Sequence, residues 1–318
     1  MPPRAEPDET RHGVALHHLD DALFDGAGAT KRDLVDHVEA FADRLLPALA
    51  GRPLTVVRVR PGQRPFVQKN APASAPSWLR VQEVWSPASR RTVRYPVVEH
   101  VRDLVWLAGQ RAVELHPTVL DGEGRVTHLV LDLDPPEGAA VGAVVHAARL
   151  VRAALDAAGL AAAVKTSGAK GLNVVVPVRD VEPGDAAAAT RALAARAERL
   201  DPDAATTAFV VADRGGRVYL DPTRAGGATL ACVWSPRARP GTPVGVPVAW
   251  DALDDVVPGT PTVRTAASVV GDGDPWRIAL PAPQAVPAGL VAEGHEIPPP
   301  RVAAMHEGRR RAREAGRS

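Results

Sequence analysis

The chain has 318 residues, 45% of them hydrophobic and 24% charged, which is typical of a globular protein with one large or two modest domains. The formal net charge of +1 argues against a global attraction to nucleic acid but leaves room for a local basic groove. Cys232 is the only cysteine, which excludes an internal disulfide and fits a reducing compartment. No apolar run could span a membrane and the N-terminus has no apolar signal core, so we expect a cytoplasmic protein without membrane contact.

The first third of the chain carries signals for both helices and strands. Residues 1–13 are polar and are expected to be disordered. Thr30 followed by Asp33 is typical of a helix N-cap, and apolar residues at helical spacing predict a helix that ends before Gly51. The elements predicted next are a strand over 54–60, strand-like sequence over 78–98 and a helix over 101–114.

The central part of the chain has clearer boundaries. Its predicted elements are strands over 128–134, 161–165, 172–178 and 217–221, and helices over 139–158 and 185–199. After residue 282 the sequence becomes rich in proline and then basic, so we expect a flexible tail over 286–318. The sequence therefore predicts one mixed α/β domain over 14–285 between two flexible ends.

Three aspartates stand at the ends of predicted strands. Asp132 and Asp134 end the strand over 128–134, and because strand side chains alternate, both carboxylates project from one face. Adjacent carboxylates repel each other, and a hard divalent cation such as Mg²⁺ or Mn²⁺ would relieve that repulsion. Asp221 ends another strand and would join this pair if the two strands are neighbours. The alternative for all three is an ordinary polar strand end.

Two polar segments are candidates for phosphate binding. The loop Thr166–Gly171 has glycines that allow a ligand to approach, a hydroxyl at Ser167 and a charge at Lys170, although its spacing differs from that of a P-loop. Arg237 and Arg239 lie two residues apart in an extended segment, where paired guanidinium groups could bind phosphate oxygens. The alternatives are a glycine-rich hairpin and a pair of surface ion pairs.

His116 and a basic run complete the candidates. An imidazole could contact a triphosphate or a metal, although a lone histidine is more often structural. Phe66 and Lys69 could form a nucleic-acid surface with the arginines of the run, which are Arg52, Arg58, Arg60 and Arg64. A solvated strand face is favoured there, because aromatic residues make up only 4% of the chain.

Taken in order, these motifs resemble the polymerase domain of bacterial ligase D, in the archaeo-eukaryotic primase superfamily. The resemblance runs from about Thr30 to about Trp276 and rests on the joint order and spacing of the motifs. They are Thr30-Lys31, Leu49-Ala-Gly-Arg-Pro53, Phe66-Val-Gln-Lys69, Glu114-Leu-His116, Leu131-Asp-Leu-Asp-Pro135, Thr166-Ser-Gly-Ala-Lys-Gly-Leu172, Val218-Tyr-Leu-Asp221, Ser235-Pro-Arg-Ala-Arg239 and Pro247-Val-Ala-Trp250. It implies a two-lobed α/β (α+β) fold, with a primase-type core of mixed and antiparallel sheets flanked by helices. Because no lysine-centred adenylation motif of the Lys-x-Asp-Gly kind is present, our hypothesis is a stand-alone paralogue.

The resemblance also implies template-directed addition of (ribo)nucleotides to a DNA 3′ end with Mn²⁺ or Mg²⁺, during non-homologous end joining. The implied partners are DNA ends or gapped duplex, nucleoside triphosphates, Ku and a separate ligase, in the bacterial cytoplasm near the nucleoid. It assigns catalysis and metal binding to Asp132, Asp134 and Asp221. It assigns nucleotide binding to His116, Ser167, Lys170, Asn173, Arg224, Arg237 and Arg239. It assigns DNA binding to Lys31, Arg52, Phe66 and Lys69.

Several positions depart from the family pattern. Asn173 stands in place of a histidine, Val67 and Pro222 in place of aromatic residues, Val211 in place of a basic residue and Asp21 in place of an end-recognising lysine. These departures motivate a second hypothesis, a non-catalytic or weakly active repair paralogue that binds DNA ends. A third hypothesis, a nucleotide-sugar glycosyltransferase, explains the Asp-x-Asp motif but not the third aspartate or the arginine pair.

Overall fold

The structure is a computed structural model that describes residues 6–86, 90–226 and 228–299. Its strands are β1 (Glu9–Arg11), β2 (Val14–Leu16), β3 (Leu54–Arg60), β4 (Gln63–Gln68), β5 (Val81–Ser86), β6 (Arg91–Pro96), β7 (Ala112–Pro117), β8 (His128–Asp134), β9 (Ala163–Thr166), β10 (Leu172–Arg179), β11 (Ala205–Thr206), β12 (Val218–Asp221), β13 (Pro247–Val248) and β14 (Gln284–Ala285). Its helices are α1 (Lys31–Ala40), α2 (Ala42–Leu49), α3 (Val101–Gly109), α4 (Val141–Ala157), α5 (Pro183–Leu200), α6 (Ala266–Val270), α7 (Pro275–Ala279) and α8 (Ala288–Glu296).

Two hydrophobic cores divide the described chain into two lobes. The first lobe packs α1, α2 and α3 around a three-stranded antiparallel sheet of order β4-β3-β7. The second lobe holds a mixed sheet of order β11-β12-β8-β10-β9-β13, with β14 pairing to β10, and α4 and α5 cover one face. This arrangement confirms the mixed α/β class that the sequence predicts.

Strand β8 lies in the middle of the second sheet and shows why the site forms there. Its residues Leu129, Leu131 and Leu133 are fully buried in the core beneath α4 and α5. The intervening residues therefore point to the opposite face, towards the first lobe. Asp132 and Asp134 are on that face, as the alternation in the sequence predicts.

Several elements differ from the sequence-based expectation. The predicted helix before Gly51 is two helices, because Phe41 leaves the helical conformation at φ −101° and ψ 10°. The predicted helix over 101–114 ends at Gly109, and Ala112–Pro117 is a strand instead. Four of its residues in succession are buried, so it lacks the alternation that identifies a half-buried strand.

The two ends of the described chain also contain more structure than expected. Glu9–Arg11, inside the segment expected to be disordered, pairs with Val14–Leu16 in a short antiparallel hairpin. Ala288–Glu296, inside the segment expected to be a flexible tail, is a helix that packs on α5. The basic residues after position 300 and residues 87–89 of the predicted strand region lie outside the described residues. Among the described helices, none is both long and apolar enough to span a membrane.

Helix α8 packs closely on α5 at Gly294. A Cβ atom at Gly294 would collide with the backbone carbonyl of Ala188 in α5, whereas a Cβ at Gly289 on the same helix meets nothing within 4 Å. We expect Gly294→Ala to destabilise the protein by about 1–3 kcal/mol, because the helix must shift. Gly289→Ala should be neutral or stabilising by up to about 1 kcal/mol. Urea unfolding measures both, and equal stabilities of the two variants would contradict this packing.

Candidate active site

Four polar side chains form a row across the second sheet, one from each of four neighbouring strands. The register pairs Lys165 of β9 with Asn173 of β10, Asn173 with Asp132 of β8, and Asp132 with Asp221 of β12. Residues directly opposite each other in antiparallel strands present their side chains on the same face. We call this set the transverse row, and it brings together two of the three aspartates that the sequence predicts to meet.

Hydrogen bonds connect the first three members of the transverse row. The Lys165 ammonium donates to the Asn173 side-chain oxygen at 2.7 Å, and the Asn173 amide nitrogen donates to Asp132 Oδ1 at 2.7 Å. With a donor on one side and a carboxylate on the other, the amide has a single satisfactory orientation. Lys165 is fully buried, and burial lowers the pKa of its ammonium to about 8. Asn173 therefore links a buried cation to the central carboxylate.

The carboxylate of Asp132 is strongly desolvated. Burial raises the pKa of Asp132 to about 6; the charges of Asp134 and Asp221 act in the same direction, and that of Arg224 opposes them. Asp221 is also buried, and its Oδ1 accepts hydrogen bonds from the backbone N–H of Thr223 at 2.9 Å and from the Tyr219 hydroxyl at 3.3 Å. The site therefore concentrates negative charge where water provides little screening.

Arg224 lies between two of the aspartates. Its Nη2 is 3.3 Å from Asp132 Oδ2, and its Nε is 3.5 Å from Asp221 Oδ2. The side chain comes from the 3-10 helix Thr223–Gly226 that directly follows β12. One guanidinium thus offsets two carboxylates that face each other across adjacent strands.

The carboxylates suit a hard divalent cation by their chemistry. Asp132 and Asp221 are opposed across the sheet, and Asp134 lies on the same face two residues along β8. In the described parts of the chain, however, no three acidic, histidine or cysteine side chains are grouped closely enough to hold a metal ion. Arg224 accounts for part of this arrangement, because it takes the place between two of the carboxylates that a cation would need.

The loop Thr166–Gly171 approaches its neighbours too closely for larger residues. Gly168 has φ +69°, and a Cβ atom there would lie 2.9 Å from the backbone nitrogen of Gly245. The Ser167 hydroxyl accepts hydrogen bonds from the backbone N–H groups of Ala169 and Gly171, each at 3.2 Å. The loop is therefore a tight turn closed by Ser167. The Lys170 ammonium is exposed at its edge, 3.2 Å from Glu137.

Glu114 is a positioning residue whose role the sequence reasoning missed. Its carboxylate accepts a hydrogen bond from His116 Nε2 at 2.7 Å and one from the backbone N–H of Ala238 at 2.9 Å, and forms an ion pair with Arg237 Nε at 3.0 Å. Burial opposes its ionisation, but the His116 hydrogen bond and the Arg237 charge outweigh it and lower the pKa of Glu114 to about 2. An acid two residues before a histidine on one strand was the available signal.

Arg237 connects the two lobes at the site. Its Nη1 donates to the backbone carbonyl of Ser167 in the second lobe, while its Nε faces Glu114 in the first. Arg239, its predicted partner, is exposed. The two arginines therefore have different environments, one fixed between the lobes and one open to solvent.

The predicted DNA-contacting residues lie in separate places. Lys31 is buried, and its ammonium donates to the backbone carbonyl of His17 at 2.6 Å. Phe66 lies on β4 beneath the guanidinium groups of Arg58 and Arg60, each 5.7 Å from the ring centre, and Lys69 nearby is exposed. Arg52 is not part of that surface, because it lines a cavity between the lobes. Their roles towards DNA stay predictions.

The residues that depart from the family pattern differ in their contacts and exposure. Asp21 forms an ion pair with Arg111 at 3.2 Å, so its carboxylate already has a partner. Val67 and Val211 are exposed, with 64% and 73% of their surface accessible. Asn173 lies at the centre of the transverse row, where it donates to Asp132.

Comparison with known proteins identifies the class to which this fold and site belong. The solved polymerase domain from Mycobacterium tuberculosis ligase D in complex with DNA matches with a TM-score of 0.73 and 32% sequence identity, over 85% of this chain and 98% of that one. The sequence profile of the LigD primase-polymerase domain matches residues 30–276. The chain belongs to this family, which confirms the resemblance noted in its motifs.

Two full-length relatives extend this comparison. The multifunctional non-homologous end joining DNA repair protein LigD of Mycobacterium tuberculosis is 33% identical over 256 residues, which cover 76% of this chain and 34% of the relative. The bifunctional non-homologous end joining protein LigD of Bacillus subtilis is 29% identical over 272 residues, 82% of this chain and 43% of the relative. The matched region thus spans between a third and a half of each of these two relatives.

The desolvation of Asp132 predicts a pH-dependent stability. Its pKa of about 6 lies above the value near 4 of an unfolded chain, so the folded state binds more protons between these values and loses stability as the pH rises. Asp132→Asn keeps the acceptor for Asn173 but removes the charge. We expect the free energy of unfolding of this variant, relative to wild type, to increase by roughly 2 kcal/mol from pH 4 to pH 7.

Urea unfolding across this pH range measures the effect. Asp254→Asn is the matched control, because Asp254 is an exposed aspartate that pairs with Arg149 of α4, and α4 covers the face of the sheet opposite the transverse row. It should show no comparable change with pH. A stability difference between Asp132→Asn and wild type that stays constant from pH 4 to pH 7 would contradict the buried charge.

Proposed function

We propose that this protein is a template-directed nucleotidyltransferase that adds (ribo)nucleotides to a DNA 3′ end in double-strand-break repair by non-homologous end joining. The observation that carries the proposal is the transverse row, which sets Asp132 against Asp221 in the middle of the sheet. Membership of the LigD primase-polymerase family supports the reaction class. The names of the relatives support the repair pathway.

Asp132, Asp134 and Asp221 would hold the divalent cation, Mn²⁺ or Mg²⁺. A bound cation would lower the pKa of the attacking hydroxyl and offset charge on the transferred phosphate. The carboxylate of Asp132 is oriented by the Asn173 amide, which Lys165 fixes in turn. The chain therefore provides a preorganised central ligand whose charge is costly to bury without a partner.

The incoming triphosphate would lie against the loop Thr166–Gly171. Arg237 is held beside this loop by its hydrogen bond to Ser167 and by Glu114, so its cationic group is already positioned for phosphate oxygens. The remaining nucleotide contacts that we propose are His116, Ser167, Lys170, Asn173, Arg224 and Arg239. Positive charge held in place before the reaction offsets the charge of the pyrophosphate leaving group.

DNA would contact the first lobe. The solved ligase D polymerase domain that this chain resembles is in complex with DNA, which supports nucleic acid as the partner. Phe66 beneath two arginines provides a stacking face with adjacent positive charge. Lys31 and Lys69 are the other contacts that we propose, whereas Arg52 lines the cavity between the lobes and not this surface. Ku and a separate ligase as partners, and a cytoplasmic, nucleoid-associated location, stay predictions.

Two observations favour a second candidate function, a weakly active or non-catalytic paralogue that binds DNA ends. Arg224 interacts with two of the aspartates that would bind metal. Asp21 stands where an end-recognising lysine is expected, and it pairs with Arg111. Both features would reduce turnover or end recognition without changing the fold.

Primer extension tests the choice between these functions. The substrate is a gapped DNA duplex with a 5′-phosphate, supplied with Mn²⁺ and either ribo- or deoxynucleoside triphosphates. We expect templated addition by wild type, a loss of at least about a hundredfold in Asp132→Asn, and normal addition by the control Asp254→Asn. Undiminished extension by Asp132→Asn would refute the mechanism. A folded wild type that binds the duplex but adds no nucleotide would favour the paralogue.

The contacts of Arg224 with two aspartates predict that removing its charge increases the affinity for metal. A divalent cation that binds Asp132 and Asp221 must displace the Arg224 guanidinium, so this side chain competes with the metal. We expect Arg224→Gln to bind Mn²⁺ about fivefold more tightly than wild type, in the range of a partly exposed ion pair. Electron paramagnetic resonance of free Mn²⁺ measures this affinity without turnover.

Arg149→Gln is the matched control for that measurement, because Arg149 pairs with the exposed Asp254. It should leave the Mn²⁺ affinity unchanged, whereas Asp132→Asn should abolish the binding. Unchanged or weaker Mn²⁺ binding in Arg224→Gln would show that the arginine does not compete with the metal.

A further inference from the structure

A cavity of about 230 Å³ lies between the two lobes, on the same face of the second sheet as the transverse row. Its floor includes His128 and Val130 of β8 and Lys165 of β9, and Arg52 lines it from the first lobe. Asp132, Asp221 and the loop residues Ser167 and Lys170 are not among the lining residues. The cavity is therefore adjacent to the candidate active site but distinct from it.

The cavity lining carries an excess of positive charge. Four cationic side chains line it, Arg44, Arg52, Lys165 and Arg277, against a single acid, Asp274. The Asp274 carboxylate is already used, because it accepts hydrogen bonds from the backbone N–H groups of Trp276 and Arg277 at 3.1 and 3.3 Å. The net charge of the lining favours an anion.

Arg52 has no ion-pair partner among the described residues. No carboxylate there lies within 4 Å of its guanidinium, and its one side-chain hydrogen bond is a long contact of 3.4 Å with His128 Nδ1. A guanidinium has five N–H donors, and a half-buried charge without a counter-ion is destabilising. Burial accordingly lowers the pKa of Arg52.

Lys165 supplies a second charge without a carboxylate partner. Its ammonium is fully buried and donates to the Asn173 side-chain oxygen and, at 3.3 Å, to the backbone carbonyl of Thr166. Both acceptors are neutral. An anion in the cavity would offset this charge, and through Lys165 and Asn173 it would be connected to Asp132 by two hydrogen bonds.

The rest of the wall is apolar and includes an aromatic ring. Val119, Val130, Val175, Leu280 and Trp276 contribute to it. The volume is below the roughly 300–1,000 Å³ of pockets that enclose drug-sized ligands, so the part of a ligand that the cavity encloses is small. The combination fits a small molecule with an anionic group at one end and a flat apolar group at the other.

We propose that this cavity is a binding site for a small aromatic phosphate or carboxylate, with its anionic group on Arg52 and Lys165. The ligand's ring packs against the apolar wall beside Trp276. The site is separate from the nucleotide site and does not depend on the polymerase activity.

Isothermal titration of the full chain with phenyl phosphate tests the proposal. We expect saturable binding of one molecule per chain, with inorganic phosphate binding about tenfold more weakly because it lacks the ring. Arg52→Gln should weaken the binding of phenyl phosphate by about tenfold or more, since a charged hydrogen bond is lost. Arg149→Gln, on the far helix α4, should bind as wild type does.

Circular dichroism establishes whether Arg52→Gln is folded. If it is not, Arg277→Gln at the exposed rim takes its place and should weaken binding to a smaller extent. Two outcomes overturn the proposal. One is the absence of saturable binding by wild type. The other is binding that Lys170→Gln abolishes and Arg52→Gln leaves intact, which would assign the ligand to the loop Thr166–Gly171.

Discussion

The carboxylate of Asp132 is largely removed from solvent in the middle of the second sheet, and the organisation of the candidate site follows from offsetting its charge. The strand order places Asn173 on one side of it and Asp221 on the other. Lys165 acts on Asp132 through the Asn173 amide, and Arg224 interacts with Asp132 directly. Such a charge is tolerated only where fixed dipoles and cations surround it.

The same sheet explains why the two faces of β8 have different compositions. Leucines at alternate positions are buried beneath α4 and α5 and fix the register of the strand. A shift of one residue would turn Asp132 into the apolar core, so the packing on one face specifies the position of the charges on the other. Stability and chemistry thus depend on opposite faces of one strand.

The two lobes are connected at the site by Glu114 and Arg237. Glu114 belongs to the first sheet and pairs with Arg237. Arg237 in turn donates a hydrogen bond to the backbone carbonyl of Ser167 in the second lobe. Because Glu114 has its pKa lowered to about 2, its charge persists throughout the physiological pH range. The position of the loop Thr166–Gly171 relative to His116 therefore depends on the ion pair between buried Glu114 and half-buried Arg237, and not on apolar contact alone.

Local sequence signals predict most of the strands and helices of the second lobe. The alternation over 128–134 predicted both the strand and the shared face of Asp132 and Asp134, since a period of two leaves no other arrangement. The sequence alone does not determine whether Asp221 lies beside this pair, because strand order depends on contacts distant in sequence. In the structure the two strands are neighbours, and Asp221 is paired with Asp132.

Other features could not be derived from local signals. The strand Ala112–Pro117 is buried on both faces and lacks the alternation of a half-buried strand, so its first residues continue the helical pattern that begins at Val101. The roles of Glu114 and Lys165 depend on partners up to 124 residues away or on a neighbouring strand. The basic run predicts that Arg52 shares a surface with Phe66, but the fold places Arg52 in the cavity between the lobes.

A crystal structure with Mn²⁺ and a non-hydrolysable ribonucleoside triphosphate would show directly whether the three aspartates bind metal, because manganese is located by its anomalous scattering. We expect manganese bound by Asp132, Asp134 and Asp221, with Arg224 displaced from the two carboxylates that it now contacts. Triphosphate density should lie against Ser167 and Arg237. Arg224 still bridging Asp132 and Asp221 at saturating Mn²⁺, with no manganese on the aspartates, would contradict it.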